Sequence, residues 1–175
     1  NAALNHLFEN GHRRIGLING PNTSSNSAER LAEFGRFAVK HFGELDPNLI
    51  TEGPYSLASG QRNFMQLMSL DNPPSAIVCS QDEIALGAMI KAETTKLRVP
   101  QDVSLIGWDD TPVCALPQIN LTTIRAPKWD LGANAARMMI SRIQNPEPRE
   151  EEILMRPELV IRGSVAPVAG KVATI

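Results

Sequence analysis

The chain has 175 residues, of which 42% are hydrophobic and 21% charged, and its formal net charge is −2. That size and balance supply one substantial core and exclude intrinsic disorder and a coiled coil. The near-neutral charge leaves no basic footprint for direct contact with nucleic acid or an anionic membrane.

In chain order the apolar period alternates between helix and strand. Ala3, Leu4, Leu7 and Phe8 form a helical stripe stopped by Asn10-Gly11, and Ile15, Leu17 and Ile18 read as a strand ended by Asn19-Gly20-Pro21. After a polar loop over 22–26, Leu31, Phe34, Ala38 and Phe42 recur at helical spacing, and Pro47 closes that region. Leu49-Ile50 is a short strand leading into the Gly53-Pro54-Tyr55 turn; Phe64, Leu67 and Met68 mark a third helix, stopped by Asn72-Pro73-Pro74. Ala76-Ile77-Val78-Cys79 is a buried strand. It runs through Ser80-Gln81-Asp82 into a helix marked by Ala85, Ala88, Met89 and Ala92, with Asp82 expected as its N-cap.

Val103-Ser104-Leu105-Ile106-Gly107-Trp108-Asp109-Asp110 reads as another buried strand with two carboxylates at its carboxyl end, the edge where open α/β sheets bind ligands. Two readings are open at this point: an aspartate contacts a ligand, or both simply begin the next turn. Leu121-Thr122-Thr123-Ile124 is a further strand, and Pro127 precedes a helix with Leu131, Ala135, Met138, Met139 and Ile143 on its apolar side, stopped by Asn145-Pro146. Ile153-Leu154-Met155 and Leu159-Val160-Ile161 are short strand candidates, and the stretch from Val165 to Ile175 is expected to fray. The pattern is an α/β fold, a parallel sheet with helices on both faces.

Cys79 and Cys114 lack metal-like or redox-like spacing. The chain contains no P-loop, no G-x-G-x-x-G and no nucleophile with a nearby base in a motif, so no cofactor, metal or catalytic role is expected. No apolar run is long enough to span a bilayer and the start does not resemble a signal peptide, which leads to the expectation of a cytoplasmic protein with no membrane partner. Because Asn1 already lies inside an amphipathic pattern, the sequence is expected to begin partway through a larger protein.

Five segments carry a resemblance. They are Gly11-His12-Arg13-Arg14-Ile15-Gly16-Leu17-Ile18 with Gly20-Pro21, Ala85-Leu86-Gly87-Ala88, the run from Leu97-Arg98-Val99-Pro100 to Ile106-Gly107, Leu121-Thr122-Thr123-Ile124, and Leu159-Val160-Ile161-Arg162-Gly163-Ser164. In this order the chain resembles the LacI/GalR transcriptional regulators, specifically their effector-binding domain with the type I periplasmic-binding-protein-like fold. The resemblance implies two α/β subdomains around a cleft. Residues 1–124 and 157–167 would form one nearly complete carboxyl-side subdomain, 125–156 a returning segment of the amino-side subdomain, and 168–175 a tail. The DNA-binding headpiece and the first part of the amino-side subdomain would lie outside this chain.

The same resemblance implies ligand-binding residues. From its helix alone, Arg30 is an exposed arginine paired with Glu29 or Glu33; its motif position, ten residues beyond Gly20, implies that it reaches the cleft, although Glu33 stands where the family usually has Gly. Asp109 resembles the family's ligand-contacting aspartate, and Asp110 is expected to fix the loop. Tyr55 lies where the family often places a stacking aromatic, and Gln81 where it often has a polar side chain; Ser24 and Asn26 could add contacts from the polar loop. Ala126 takes a position that is polar in some sugar-responsive members. Trp108 and Trp129 read as packing, and His12 as a cation capping the first helix.

The implied function is effector sensing by a DNA-binding regulator: a small polar ligand, a sugar or sugar derivative, binds between the subdomains and modulates operator binding. A homodimer is implied, with DNA contacted only through the headpiece. An exported sugar-binding protein of a transport system is the alternative, and an α/β enzyme the third reading; a helix-turn-helix or a signal peptide upstream of Asn1 would separate the first two.

Overall fold

A computed structural model of the chain describes residues 1–144 and 152–168. Its elements alternate as the apolar periods predict: α1 (Ala2–Glu9), β1 (Ile15–Asn19), α2 (Ser25–Phe42), β2 (Ile50–Glu52), α3 (Leu57–Met68), β3 (Ala76–Cys79), α4 (Asp82–Thr94), β4 (Ser104–Trp108), β5 (Thr122–Arg125), α5 (Lys128–Gln144) and β6 (Glu158–Val160). The six strands lie in the order β2-β1-β3-β4-β5-β6. All neighbours are parallel except β6, which runs antiparallel to β5.

Burial on both faces explains why the strands are continuous apolar runs. Side-chain alternation sends Ile15, Leu17, Val78 and Ile106 to a layer formed by α1 and α2, with Leu7, Phe34 and Phe37 at its centre. It sends Ile18, Ile77, Cys79 and Leu105 to the opposite layer of α3 and α4, against Phe64, Leu67, Ile84 and Ala88. On that second face a Cβ added to Gly60 would stand 2.1 Å from the Ile84 carbonyl oxygen, and one on Gly87 2.2 Å from that of Leu57. The two helices therefore meet backbone to backbone, and only glycine fits at the crossing.

The chain leaves β1 toward the α1–α2 face and leaves the adjacent β3 toward the α3–α4 face. A crevice therefore opens outside the carboxyl ends of these two strands, the topological switch point at which open α/β sheets bind ligands.

Several local expectations are corrected. Ile153-Leu154-Met155 is not a strand: β6 begins at Glu158 and takes the place beside β5, and Leu154 is 87% exposed. Pro157, which cannot donate to a ladder, immediately precedes β6. Asp82 is not an N-cap, because Gln81 holds that position and the Asp82 side chain turns inward. His12 is buried, with Nε2 3.1 Å from the Ala166 carbonyl oxygen and Nδ1 2.9 Å from Ser75 Oγ. Burial lowers its pKa, so it is a neutral staple rather than a cation on the helix dipole. Val165 to Val168 are held as well, since the Val168 N–H donates to the Asn10 carbonyl; the rest of the stretch expected to fray, 169–175, lies outside the described residues, as does the Asn145-Pro146 helix stop.

Candidate functional site

A cavity of about 530 Å³ lies on the α1–α2 face at the crevice end of the sheet, lined by Leu4 of α1, Asn26 and Arg30 of α2, and Val78, Ser80 and Trp108. Three physical features mark this end of the sheet as more than a loop cluster: a stacked cation, a hydroxyl chain and buried polar atoms without partners.

Arg30 stacks its guanidinium over the indole of Trp108 at 4.4 Å from the ring centroid. Such stacking holds the fork of N–H donors in place while leaving its edge available. It also revises the reading of Trp108, whose ring orients a candidate binding residue as well as packing.

Tyr55 reaches α2 from the loop after β2. Its hydroxyl lies 2.9 Å from Ser27 Oγ and donates weakly to Ser24 Oγ at 3.4 Å. The ring covers Gly20 so closely that a Cβ there would fall 2.3 Å from it. Burial pushes the Tyr55 pKa up, but the serine hydroxyls and the Arg30 charge outweigh it and bring the phenol below its ordinary value. Ser24 is the N-cap residue of α2 yet makes no side-chain cap bond, so its hydroxyl serves Tyr55 instead.

At the ends of the two diverging strands, Asn19 Oδ1, Ser80 Oγ and Gln81 Oε1 are buried with no hydrogen-bond partner. Native interiors rarely leave such atoms orphaned, because each costs the desolvation of a polar group without repayment. Asn19 is fixed by its own amide, whose Nδ2 donates to the Ser27 carbonyl at 3.0 Å.

Asp109 and Asp110 both adopt positive φ, 114° and 49°. Strained backbone of this kind persists where its surroundings over-determine it. Here the Asp109 N–H donates to the Ile124 carbonyl at 2.8 Å, and the Thr111 N–H and hydroxyl donate to Asp82 Oδ2 at 2.7 and 3.0 Å. The other Asp82 oxygen accepts from Thr123 Oγ1 at 2.6 Å, so one buried carboxylate ties the start of α4, the loop and β5 together. Asp110 accepts from Arg162 at 2.7 Å and from Arg125 at 2.6 Å. Burial pushes its pKa up, but the two guanidinium groups win and hold it below the usual carboxylate value.

The six expected site residues thus fall into two groups. Ser24, Asn26, Arg30 and Tyr55 converge at the start of α2, with Gln81 at the neighbouring strand end. Of the six, Asn26 and Arg30 line the cavity, and Asp109 pairs with Lys128 of α5, its carboxylate 3.2 Å from Nζ. Sequence reasoning missed Asn19, Ser27 and Ser80. A usable signal existed for two of them: Asn19 and Ser80 are the first polar residues after apolar strands that diverge.

Cys79 is buried with its thiol pushed well up, and burial raises Cys114 to about 11, which makes both thiols neutral and weakly reactive. Among the described residues no group of His, Cys, Asp and Glu could hold a metal ion, and no helix is long and apolar enough to cross a membrane.

Comparison with known proteins places this geometry. The periplasmic binding protein-like domain family matches residues 4–165. The HTH-type transcriptional repressor PurR of Klebsiella pneumoniae (strain 342) is 39% identical over 161 residues, covering 92% of this chain and 47% of the relative. The HTH-type transcriptional repressor CytR of Escherichia coli (strain K12) is 36% identical over 163 residues, covering 93% and 48%. The chain therefore spans about half the length of these relatives. Among solved structures, a putative LacI transcriptional regulator from Bacillus cereus subsp. cytotoxis NVH 391-98 superposes with a TM-score of 0.88 at 25% identity, covering 95% of this chain and 59% of that one. The transcriptional regulator CelR in complex with cellobiose gives 0.84 at 27% identity, covering 92% and 49%. The Lac repressor bound to ONPG gives 0.84 at 29%, covering 94% and 49%.

Proposed function

The chain belongs to the periplasmic binding protein-like domain family, in the form found in LacI-type regulators, and from that membership we propose that it senses a small polar effector, a sugar or sugar derivative, for a transcriptional repressor. The observation that carries the proposal is the crevice at the β1–β3 switch point, where Arg30 is stacked on Trp108 and three buried polar atoms at the strand ends lack partners. The sugar reading is supported by the neighbour solved with cellobiose. Both curated relatives described above are DNA-binding repressors, which supports the regulator over an exported binding protein.

In this reading Arg30, Gln81, Tyr55, Asn26 and Ser24 hold the ligand from one wall, and Asp109 accepts from it on exchanging its Lys128 partner. Residues 1–124 and 157–167 form the carboxyl-side subdomain and 125–156 the returning segment. Consistent with that division, α5 buries none of its residues, and Trp129, Met139 and Ile143 are 87%, 67% and 75% exposed. The effector favours one subdomain orientation, and only unequal affinity for the two orientations can shift their populations. The whole protein is a cytoplasmic homodimer that contacts DNA through sequence outside this chain.

The test is operator binding by the native full-length protein, measured by mobility shift with and without D-galactose, D-ribose, cellobiose, adenosine and cytidine. A change in operator affinity with one of these supports the proposal. A protein that binds the ligand and chemically converts it would overturn it.

A further inference from the structure

The three orphaned atoms differ in what they can accept, and that difference carries information about the effector. Asn19 and Ser80 are 1% and 2% exposed. They sit side by side, because Ile18 pairs with Cys79 in the ladder and the Ser80 N–H donates to the Ile18 carbonyl at 2.9 Å. The Asn19 amide is not free to flip: its Nδ2 already serves the Ser27 carbonyl, so its Oδ1 is committed to accepting. Gln81 Oε1 presents a second acceptor one residue beyond Ser80, and Ser80 Oγ can accept or donate.

An acceptor fixed at Asn19 without a donor calls for a partner edge bearing O–H or N–H groups. A phosphate or carboxylate brings only acceptor oxygens at neutral pH and would oppose it. The charged side chains on the cavity wall balance in number, Arg30 and Arg36 against Glu29 and Glu33, with Arg36 paired to Glu33, so the wall carries no net positive charge. We propose that Asn19 and Ser80 are specificity-determining residues, reading adjacent hydrogen-bond donors on an uncharged polyhydroxyl or amino effector and rejecting its phosphorylated form. The inference rests on the effector-binding reading and assigns to it two residues beyond the resemblance.

A site kept for a ligand differs from a structural one in a way that stability reveals. Ser80 Oγ has no partner to lose, so Ser80→Ala removes a buried cost and leaves the fold intact. Asn19→Ala also withdraws the donor from Ser27 and is expected to melt slightly lower. The experiment combines melting and calorimetric titration of the native full-length protein and both variants. The probes are D-galactose, D-ribose, cellobiose and adenosine, with D-ribose 5-phosphate and AMP as the anionic counterparts.

The expected result is a Ser80→Ala melting temperature equal to or above wild type, an affinity for the bound neutral probe lowered about tenfold or more in each variant, and weaker binding of the phosphorylated counterpart. Unchanged affinity in both variants overturns the inference. A Ser80→Ala protein that melts lower and binds normally identifies a permanently held structural water there, and overturns it too. Tighter binding of a phosphorylated probe overturns the preference for neutral ligands while leaving effector sensing in place. A wild type that binds none of the probes counts against the sugar-type effector itself, and the inference falls with it.

Discussion

Two adjacent aspartates show how the same side chain takes opposite work from its surroundings. Asp110 is 8% exposed and lies between Arg162 and Arg125, whereas Asp109 is 25% exposed and pairs with the exposed lysine Lys128. The first is tied into the fold, and the second is able to change partners. Asp110→Asn should therefore lower stability by about 2 kcal/mol at pH 7, since it leaves a partly buried arginine without its counter-charge. Because the folded-state pKa of Asp110 is depressed, its contribution is complete above the unfolded carboxylate value of about 4 and is lost as pH falls through the folded value. Denaturant titrations between pH 7 and pH 3 should show that the wild type loses its advantage over the variant in that acid window. An equal gap at all pH values would remove Asp110 from this role. Its supporting place was legible in the sequence only through the family's motif; the partners Arg125 and Arg162 lie 15 and 52 residues away and no local pattern links them.

At the scale of elements, apolar periodicity was sufficient for the five helices among the described residues and for the central strands; α1 to α4 and these strands bury their apolar residues, whereas α5 carries the periodic pattern with none of its residues buried. It failed at Ile153-Leu154-Met155, where three apolar residues match a strand but the sheet edge is already taken by β6. It also failed at Asp82, where a good capping residue was captured by long-range donors from Thr111 and Thr123. Tertiary hydrogen bonds outcompeted the local cap, and local reasoning cannot see them. The α3–α4 crossing is the element-level feature most exposed to a single change. Gly60→Ala places a methyl group against the Ile84 backbone, which cannot move without separating the helices. The expected cost is about 2–3 kcal/mol in equilibrium unfolding. A variant as stable as wild type would mean that the helices are not held at this distance.

For the whole molecule, the crevice follows from topology more than from any one motif. The strand order and the divergence of the chain after β1 and β3 would create it whatever residues lined it. Around it the fold gathers a stacked arginine, a tyrosine–serine chain and orphaned polar atoms from segments far apart in sequence. Arg30, Tyr55 and Gln81 were reachable by resemblance; Asn19 and Ser80 emerge only when hydrogen bonds are accounted for atom by atom. The pairing of Asp109 with Lys128 is likewise a property of the assembled structure, since it joins the end of β4 to a helix that buries none of its residues.

The effector site is tested most directly by a thermal-shift titration of the native full-length protein, Arg30→Ala and Asp109→Ala against sugars, nucleosides and their phosphates. The ligand that raises the wild-type melting temperature is expected to lose most of its shift in Arg30→Ala and a substantial part in Asp109→Ala, with both ligand-free variants still folded. A ligand that keeps its full shift in both variants would place the effector elsewhere and contradict the assignment of the β1–β3 crevice.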